Sequence, residues 1–384
     1  MVEKLLDVCD FQGGTQPPKD EWVSEPKDGY IRMLQIRDYT QGDEKFIEYV
    51  LDNGKLHKCT QEDIMLSRYG YIGQAFTGLA GAYNVALVKV IKKKPVHNPY
   101  LLYYFKSGYF QHHLLDNVGA RATIPGFNKS ELKNAVINIP SQEKQEYISG
   151  NLGKIEGIIA LRQQELQKLD NLIKVRFVEM FGDPFSNPLN WECISFKESS
   201  LRLSDGPFGS NLKSEHYSET GVRVIRLGNI GVGRFIDEDK SFIPPEHYEN
   251  LKKYTCHAGE IVIGTLGDPN LRACIIPKEI GIAVNKADCV HYIPDPSLLN
   301  TEFACQYVNC PETLLLAHGM IHGQTRSRVS SGQIAEMPIF IPPLELQNVF
   351  SDFVHQIDKS KSAIQKSLDK TQLLFDSLMQ QYFG

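Results

Sequence analysis

The strongest constraint on this chain is an internal repeat. Ile137-Asn-Ile-Pro140 is followed by Ser-Gln-Glu-Lys-Gln145, and Phe340-Ile-Pro342 by Pro-Leu-Glu-Leu-Gln347. Pro140 and Gln145 therefore match Pro342 and Gln347 at a shift of 202 residues, and at that shift Phe181-Gly182 falls on Phe383-Gly384. A period this long in 384 residues means one module used twice, so both halves should fold to one plan.

Between these anchors each copy reads as one long helix. Ile148, Leu152, Ile155, Ile159, Leu166, Leu169, Ile173 and Met180 follow alternating steps of three and four, with Arg162 and Arg176 in the remaining slots. In the second copy Phe350, Val354, Ile357, Ile364, Leu368, Phe375 and Leu378 do the same, with Lys361 and Thr371 filling two slots. Such spacing over several heptads predicts a coiled-coil seam. Pro140 and Gly182-Asp-Pro184 bound the first helix. At 1.5 Å per residue, some 40 residues make a rod of about 60 Å. One apolar stripe of that length needs a partner, and the other copy is the obvious one.

Ahead of each helix lies a segment rich in short strand-like runs and turns. Gly29-Tyr-Ile-Arg-Met-Leu-Gln-Ile-Arg-Asp38 parallels Gly221-Val-Arg-Val-Ile-Arg-Leu-Gly-Asn-Ile230, and Gln61–Gly70 parallels Ala258–Gly267. Gly119-Ala-Arg-Ala-Thr-Ile124 resembles Gly323-Gln-Thr-Arg-Ser-Arg-Val329. Apolar positions and turn glycines agree while the polar residues between them differ, as in a duplicated frame whose copies bind different things. The boundaries read from this pattern are 1–140 and 184–340 for the globular segments, and 141–183 and 341–384 for the helices.

Hydrophobic residues make up 42% and charged residues 23%, the range of folded globular protein. No run approaches the ~18 apolar residues of a membrane span, and the N-terminal stretch, with an early acidic residue, does not read as a secretory signal, so a cytoplasmic location is expected. Eight cysteines without a Cys-x-x-Cys pair predict reduced, mostly buried thiols. Cys289-Val-His291 and His318-x-x-x-His322 lack a second ligand pair, so no metal site is expected.

The working parts of an enzyme are missing. The chain has no phosphate-binding Gly-x-x-x-x-Gly-Lys-Ser/Thr loop, no strand-bound Gly-x-Gly-x-x-Gly, no Gly-x-Ser-x-Gly elbow and no His-Glu-x-x-His helix. Asn98-Pro-Tyr100 reads as a loop-to-helix turn leading into the buried run Tyr100–Phe105. No catalytic residue is expected, and the pattern leans towards a binding protein.

Two globular segments alternating with two long helices, the helices repeated and the globular parts diverged, closely resemble the DNA-specificity (S) subunit of type I restriction-modification systems. The resemblance spans essentially the whole chain. It is sharpest at Asp205-Gly-Pro-Phe-Gly-Ser-Asn-Leu-Lys213 running into Gly221–Asn229, and at Ile-Pro-x-x-x-x-Gln heading each helix; in the first copy Gly13-Gly-Thr-Gln-Pro17 replaces Gly206-Pro-Phe-Gly209. The resemblance implies a mixed α+β fold: two α/β target recognition domains separated by a long antiparallel two-helix coiled coil, with a pseudo-twofold internal repeat. Each domain would read one half of a bipartite site in double-stranded DNA. The helices would set the unread spacer and dock two methyltransferase (modification) subunits, with restriction subunits in the full complex. The chain itself would use no cofactor, while its partners would use S-adenosylmethionine, ATP and Mg²⁺. A related type IIB-like specificity subunit, or a coiled-coil adaptor that binds no DNA, would share much of this pattern.

Base edges are read by Arg, Lys, Asn, Gln and Ser/Thr side chains on loops. Candidates in the first domain are Arg32, Gln35, Arg37, Ser67, Arg68, Tyr69, Tyr71, Gln74 and Arg121, with Lys93 in the Lys92-Lys-Lys94 run as a phosphate contact. In the second they are Lys213, His216, Arg226, Asn229, Thr265, Asn270, Arg272, Gln324, Arg326 and Arg328. The net charge of −5 divides as +1 over residues 1–140 (17 basic, 16 acidic) and −4 over 184–340 (14 basic, 18 acidic), with −1 in each helix. Neither domain is basic enough to grip phosphates unaided, so partner subunits are expected to clasp the backbone.

Overall fold

In a computed structural model, residues 1–117, 128–207, 211–318 and 328–384 are described. The chain forms two compact units, residues 1–163 with 366–384, and residues 164–365. Among the described residues no helix is long and apolar enough to cross a membrane.

The first unit holds three sheets. β1 (Val2–Lys4) pairs antiparallel with β10 (Val136–Asn138). β2 (Cys9–Gly13), β9 (Leu87–Lys92), β6 (Met65–Ser67) and β7 (Ala75–Phe76) form an antiparallel sheet in the order β2-β9-β6-β7. In the third, β4 (Tyr49–Leu51), β3 (Tyr30–Leu34), β8 (Gly81–Tyr83) and β5 (Lys58–Cys59) lie in the order β4-β3-β8-β5, with β3 and β8 parallel. The helices are α1 (Leu5–Val8), α2 (Ile36–Thr40), α3 (Asn98–Lys106), α4 (Gly108–Asn117) and the first part of α5 (Gln142–Phe181).

The second unit repeats the plan. β11 (Cys193–Ser195) pairs with β20 (Pro338–Phe340). β12 (Ser200–Ser204), β19 (Cys289–Pro294), β16 (Ile261–Gly264) and β17 (Arg272–Ile275) follow the order β12-β19-β16-β17. β14 (Ser241–Ile243), β13 (Val222–Ile225), β18 (Ile282–Asn285) and β15 (Thr255–His257) follow β14-β13-β18-β15, with β13 and β18 parallel. Adding ten to every strand number turns one unit's sheet orders into the other's. α6 (Pro245–Glu249) is short; α7 (Thr301–Asn309), α8 (Pro311–His318) and α9 (Ser331–Glu336) lead to α10 (Leu344–Phe383). α5 and α10 are each 40 residues long, and both their ends keep the 202-residue offset.

The Ile-Pro-x-x-x-x-Gln motif proves to be a lock. Gln145 Nε2 donates to Pro140 O at 2.9 Å, and its Oε1 accepts from His97 N at 2.9 Å. Gln347 Nε2 donates to Pro342 O at 2.7 Å, and its Oε1 accepts from Asn300 N at 2.8 Å. Both side chains are buried, each fixing the start of a long helix to the residue before α3 or α7. The orphan N–H at a helix start is thereby satisfied from another element.

In each unit many of the stripe residues are covered. Ile148, Leu152 and Ile159 are buried and Ile155 half-buried, with Leu368 and Phe375 half-buried on the facing helix. In the second unit Ile173, Phe350 and Val354 are buried and Leu166, Leu169, Ile357 and Ile364 half-buried. The polar slots find partners: Arg162 Nη1 donates to Ser367 O at 2.8 Å and to the Thr371 hydroxyl, and Lys361 Nζ lies 2.7 Å from Asp170. Burial works against the Lys361 charge, but the Asp170 hydrogen bond and the Asp358 charge outweigh it and raise its pKa. The seam ends enter the globular cores. Met379 and Phe383 pack with Tyr100, Tyr104 and Leu152 in the first unit, and Phe177 and Phe181 with Phe303, Tyr307 and Phe350 in the second. Tyr104 donates to Val136 O at 3.0 Å and Tyr307 to Pro338 O at 3.0 Å, the same bond in each copy.

Candidate nucleic-acid interface

Most of the described candidates lie on a turn after β3 or β13, on the hairpin after β6 or β16, or on segments flanking them, while Lys93 follows β9. Both turns use one device. Asp38 accepts from Gln35 N at 2.8 Å, and Asn229 Oδ1 from Arg226 N at 2.9 Å. Asn229 is fully buried and also donates to Ile236 O and Asp239 O, so it holds the turn rather than facing outward. Its neighbour Arg226 is half-exposed and 2.9 Å from Asp239.

The first turn carries an ionic cluster. Arg32 pairs with Asp38 at 2.7 Å, while Lys19, Gln35 and Arg37 converge on Glu48 at 2.6, 2.8 and 2.5 Å. Burial tends to raise the Glu48 pKa, but hydrogen bonds from Lys19 and Gln35 and the nearby cations outweigh it, and its carboxyl sits below the ordinary range. Arg37 also lies over the Phe46 ring. A DNA phosphate or base edge would compete with carboxylates for these cations, which favours specificity over raw affinity.

The hairpins differ. In the first, buried Ser67 donates through its hydroxyl to Tyr71 O and accepts from Gln74 N at 2.9 Å, leaving Tyr71 78% exposed at the tip and Gln74 exposed. Arg68 lies 5.4 Å from the Tyr69 ring and donates to Asn128 at 2.5 Å. In the second, Thr265 and Asn270 are buried, and Thr265 donates to Asp288 O at 3.1 Å. Asp288 pairs with Arg328 at 2.8 Å. Arg272 spends its guanidinium on protein carbonyls: Nε on Ile230 O at 2.6 Å, Nη1 on Leu266 O and Pro269 O at 2.8 and 2.9 Å, and Nη2 on Leu227 O at 3.1 Å. Ser67, Asn229, Thr265, Asn270 and Arg272 thus form the inner support of the loops. Arg272 is itself half-exposed, and the other exposed or half-exposed positions fall to Arg32, Gln35, Arg37, Arg68, Tyr69, Tyr71, Gln74, Lys213, His216, Arg226 and Arg328.

Lys213 is exposed, and the His216 ring lies 4.1 Å from that of His247, whose Nε2 is 2.9 Å from Asn211 O. Lys93 donates to Leu6 O at 2.8 Å, Lys92 to Val96 O at 3.0 Å, and Lys94 pairs with Glu3, so this run ties strand to terminus. Arg121, Gln324 and Arg326 lie outside the described residues, as do Phe208-Gly209-Ser210 and His322.

The first loops, different in sequence, share a backbone requirement. A Cβ on Gly14 would sit 2.0 Å from Asn84 O, and one on Gly206 2.3 Å from Asn285 O. Only glycine permits that approach. The partners Glu48, Asp239 and Asp288 escaped sequence reasoning, because nothing in a single chain says which carboxylate will face which arginine. Asp38 and Asn229 were findable, since they occupy one position of the two turns. Among the described residues no group of three or more His, Cys, Asp or Glu is placed to hold a metal, and the buried cysteines carry free thiols.

Two copies of one module, alike in sheet order and unlike in their polar loops, make up an internally duplicated protein. Residues 1–171 match the family model of the type I restriction modification DNA specificity domain. The chain is 22% identical to the type I restriction enzyme MjaVIII specificity subunit of Methanocaldococcus jannaschii, over 96% of this chain and 90% of that protein. It is also 22% identical to the MjaIX specificity subunit of the same organism, over 98% and 91%. A solved chain from a study of complex assembly and conformational transition of the type I R-M system superposes with a TM-score of 0.58 at 14% identity, covering 100% of this chain and 97% of that one. The type I S subunit from M. genitalium superposes at 0.54 with 15% identity, covering 100% and 96%. Over nearly its whole length the chain is thus similar to type I restriction-modification specificity subunits.

Proposed function

We propose that this chain is the sequence-reading subunit of a type I restriction-modification complex, acting in the cytoplasm, in which each module reads one half of a bipartite duplex site. The observation that carries this reading is the identity of the two sheet plans combined with divergence of the loops they present. Two related modules fit two half-sites of a duplex. The chain supplies recognition, while catalysis and its cofactors, S-adenosylmethionine for methylation and ATP with Mg²⁺ for cleavage, belong to partner subunits.

The long helices set the spacer between half-sites and dock two methyltransferase subunits. Support comes from apolar residues facing away from each seam: Leu161 (66% exposed) and Leu373 (71%) in the first unit, Val175 (65%) and Val349 (54%) in the second. Apolar side chains left in solvent along a helix offer contact points for a partner subunit. Mixing the chain with its cognate methyltransferase subunit and mapping methylated adenines on DNA tests the whole reading. A stoichiometric complex that methylates one bipartite site is expected; no complex and no site would overturn it. Removing four residues from one helix shifts the heptad register, so a changed spacer or lost assembly is expected.

A further inference from the structure

The base of the recognition hairpin is built from different chemistry in the two modules. In the first, Ser67 N donates to Gln74 O at 2.9 Å across the hairpin base, and the Ser67 hydroxyl closes the loop on itself. In the second the facing pair is Gly264 and Arg272. A Cβ on Gly264 would touch the Arg272 guanidinium carbon at 3.4 Å, and one on Gly267 would come within 3.1 Å of Nη1, so both glycines leave room for this side chain. The guanidinium reaches beyond its own hairpin to Leu227 O and Ile230 O, carbonyls of the turn after β13.

We propose that Arg272 is a positioning residue. It reads no base, but welds the hairpin at 265–271 to the turn at 226–229 so that both present one rigid surface to the second half-site. The inference rests on the DNA-reading role proposed above. A guanidinium has five N–H donors in a planar fork, and four hydrogen bonds to carbonyls hold this fork inward. One Nη2 N–H is left over, but the other four donors fix the fork on the protein, so the side chain cannot turn towards a base edge without giving some of them up. In the first module Gln74 stands where Arg272 stands, and the Ser67 hydroxyl bonds described there stay within the hairpin.

The test assembles wild type, Arg272→Ala and Arg272→Lys with the cognate methyltransferase subunit and methylates a DNA library randomised across both half-sites. Expected is a loss of discrimination of about tenfold at several base pairs of the second half-site together. The lysine variant should lose less, and the first half-site and complex formation should be unchanged. Relaxation at one base pair alone would make Arg272 a direct reader and overturn the proposal, as would no relaxation. If the alanine variant does not assemble, the lysine variant, which keeps the charge and some donors, carries the same comparison. Arg226→Ala and Arg328→Ala go through the same library. If they alter the second half-site while the Arg272 variants do not, positioning fails and the DNA reading stands. If no second-module variant alters any base pair, the DNA reading fails and the proposal falls with it.

Discussion

His291 Nε2 lies 2.7 Å from Glu260 Oε2 inside the second unit, at the place where the first unit has Lys89 and Asp63, 3.7 Å apart. β6 opposes Met65 to Lys89 and β16 opposes Val262 to His291, so one position facing a carboxylate serves both modules, filled by a lysine in the first and an imidazole in the second.

That difference makes stability depend on pH. Burial is the largest influence on His291, 1% exposed, and it outweighs the Glu260 charge and hydrogen bond, lowering the imidazole pKa from its usual 6.5. Below about pH 6.5 the unfolded chain takes up this proton before the folded one, so stability falls with pH from there down to the folded-state value. The loss cannot exceed about 1.4 kcal/mol per pH unit for one group. Urea unfolding at pH 7.5 and 5.5 should show it, and His291→Gln should flatten that slope; an equal slope in the variant would assign the pH effect elsewhere.

The two glutamine locks should behave alike. Gln145→Leu or Gln347→Leu strands a partly buried N–H, of His97 or Asn300, and costs about 1–3 kcal/mol. Thermal unfolding of the single variants measures it, and a cost near zero at both sites would mean that water replaces the amide.

Arg162 and Lys361 interrupt an apolar seam. Partly exposed ion pairs such as Lys361–Asp170 contribute about 0–1 kcal/mol, so their role is register rather than strength. Arg162→Leu with Thr371→Leu should leave the unfolding midpoint unchanged or raised, yet admit methylation at more than one spacer length in vitro. A strictly single spacer would remove register from the account.

Truncating a core anchor should separate the modules. Phe383→Ala opens a cavity in the first unit and Phe177→Ala one in the second, each costing about 3–5 kcal/mol. Binding to DNA carrying one intact half-site should weaken for the first half with Phe383→Ala and for the second with Phe177→Ala.

Much of the scaffold was legible because it depends on period. The 202-residue offset, the three-and-four seam and the glutamine after each Ile-Pro are local regularities, and both 40-residue helices fall on them. The loops were legible only as locations. A strand-end arginine is a sound guess for a base reader, yet Arg272 points inward because Gly264 and Gly267 give it room, a relation visible only once the hairpin closes. Asn229 and Thr265 read as base-contact candidates and are buried, since tight turns need side-chain acceptors and donors inside them. Arg223, 5% exposed and bonded to Asp237 at 2.8 Å, lies in β13 just before the turn that carries Arg226, and nothing in the sequence pattern singled it out.

The first unit recruits residues 366–384 to its core, and these are translated only after all of residues 164–365. On the ribosome the first module therefore waits, its Tyr100 and Tyr104 surface lacking Phe383 and Met379, while the second can already close around Phe177 and Phe350. Order of synthesis and order of completion are thus reversed, and a frameshift or proteolytic nick late in the gene product would disable the half encoded first.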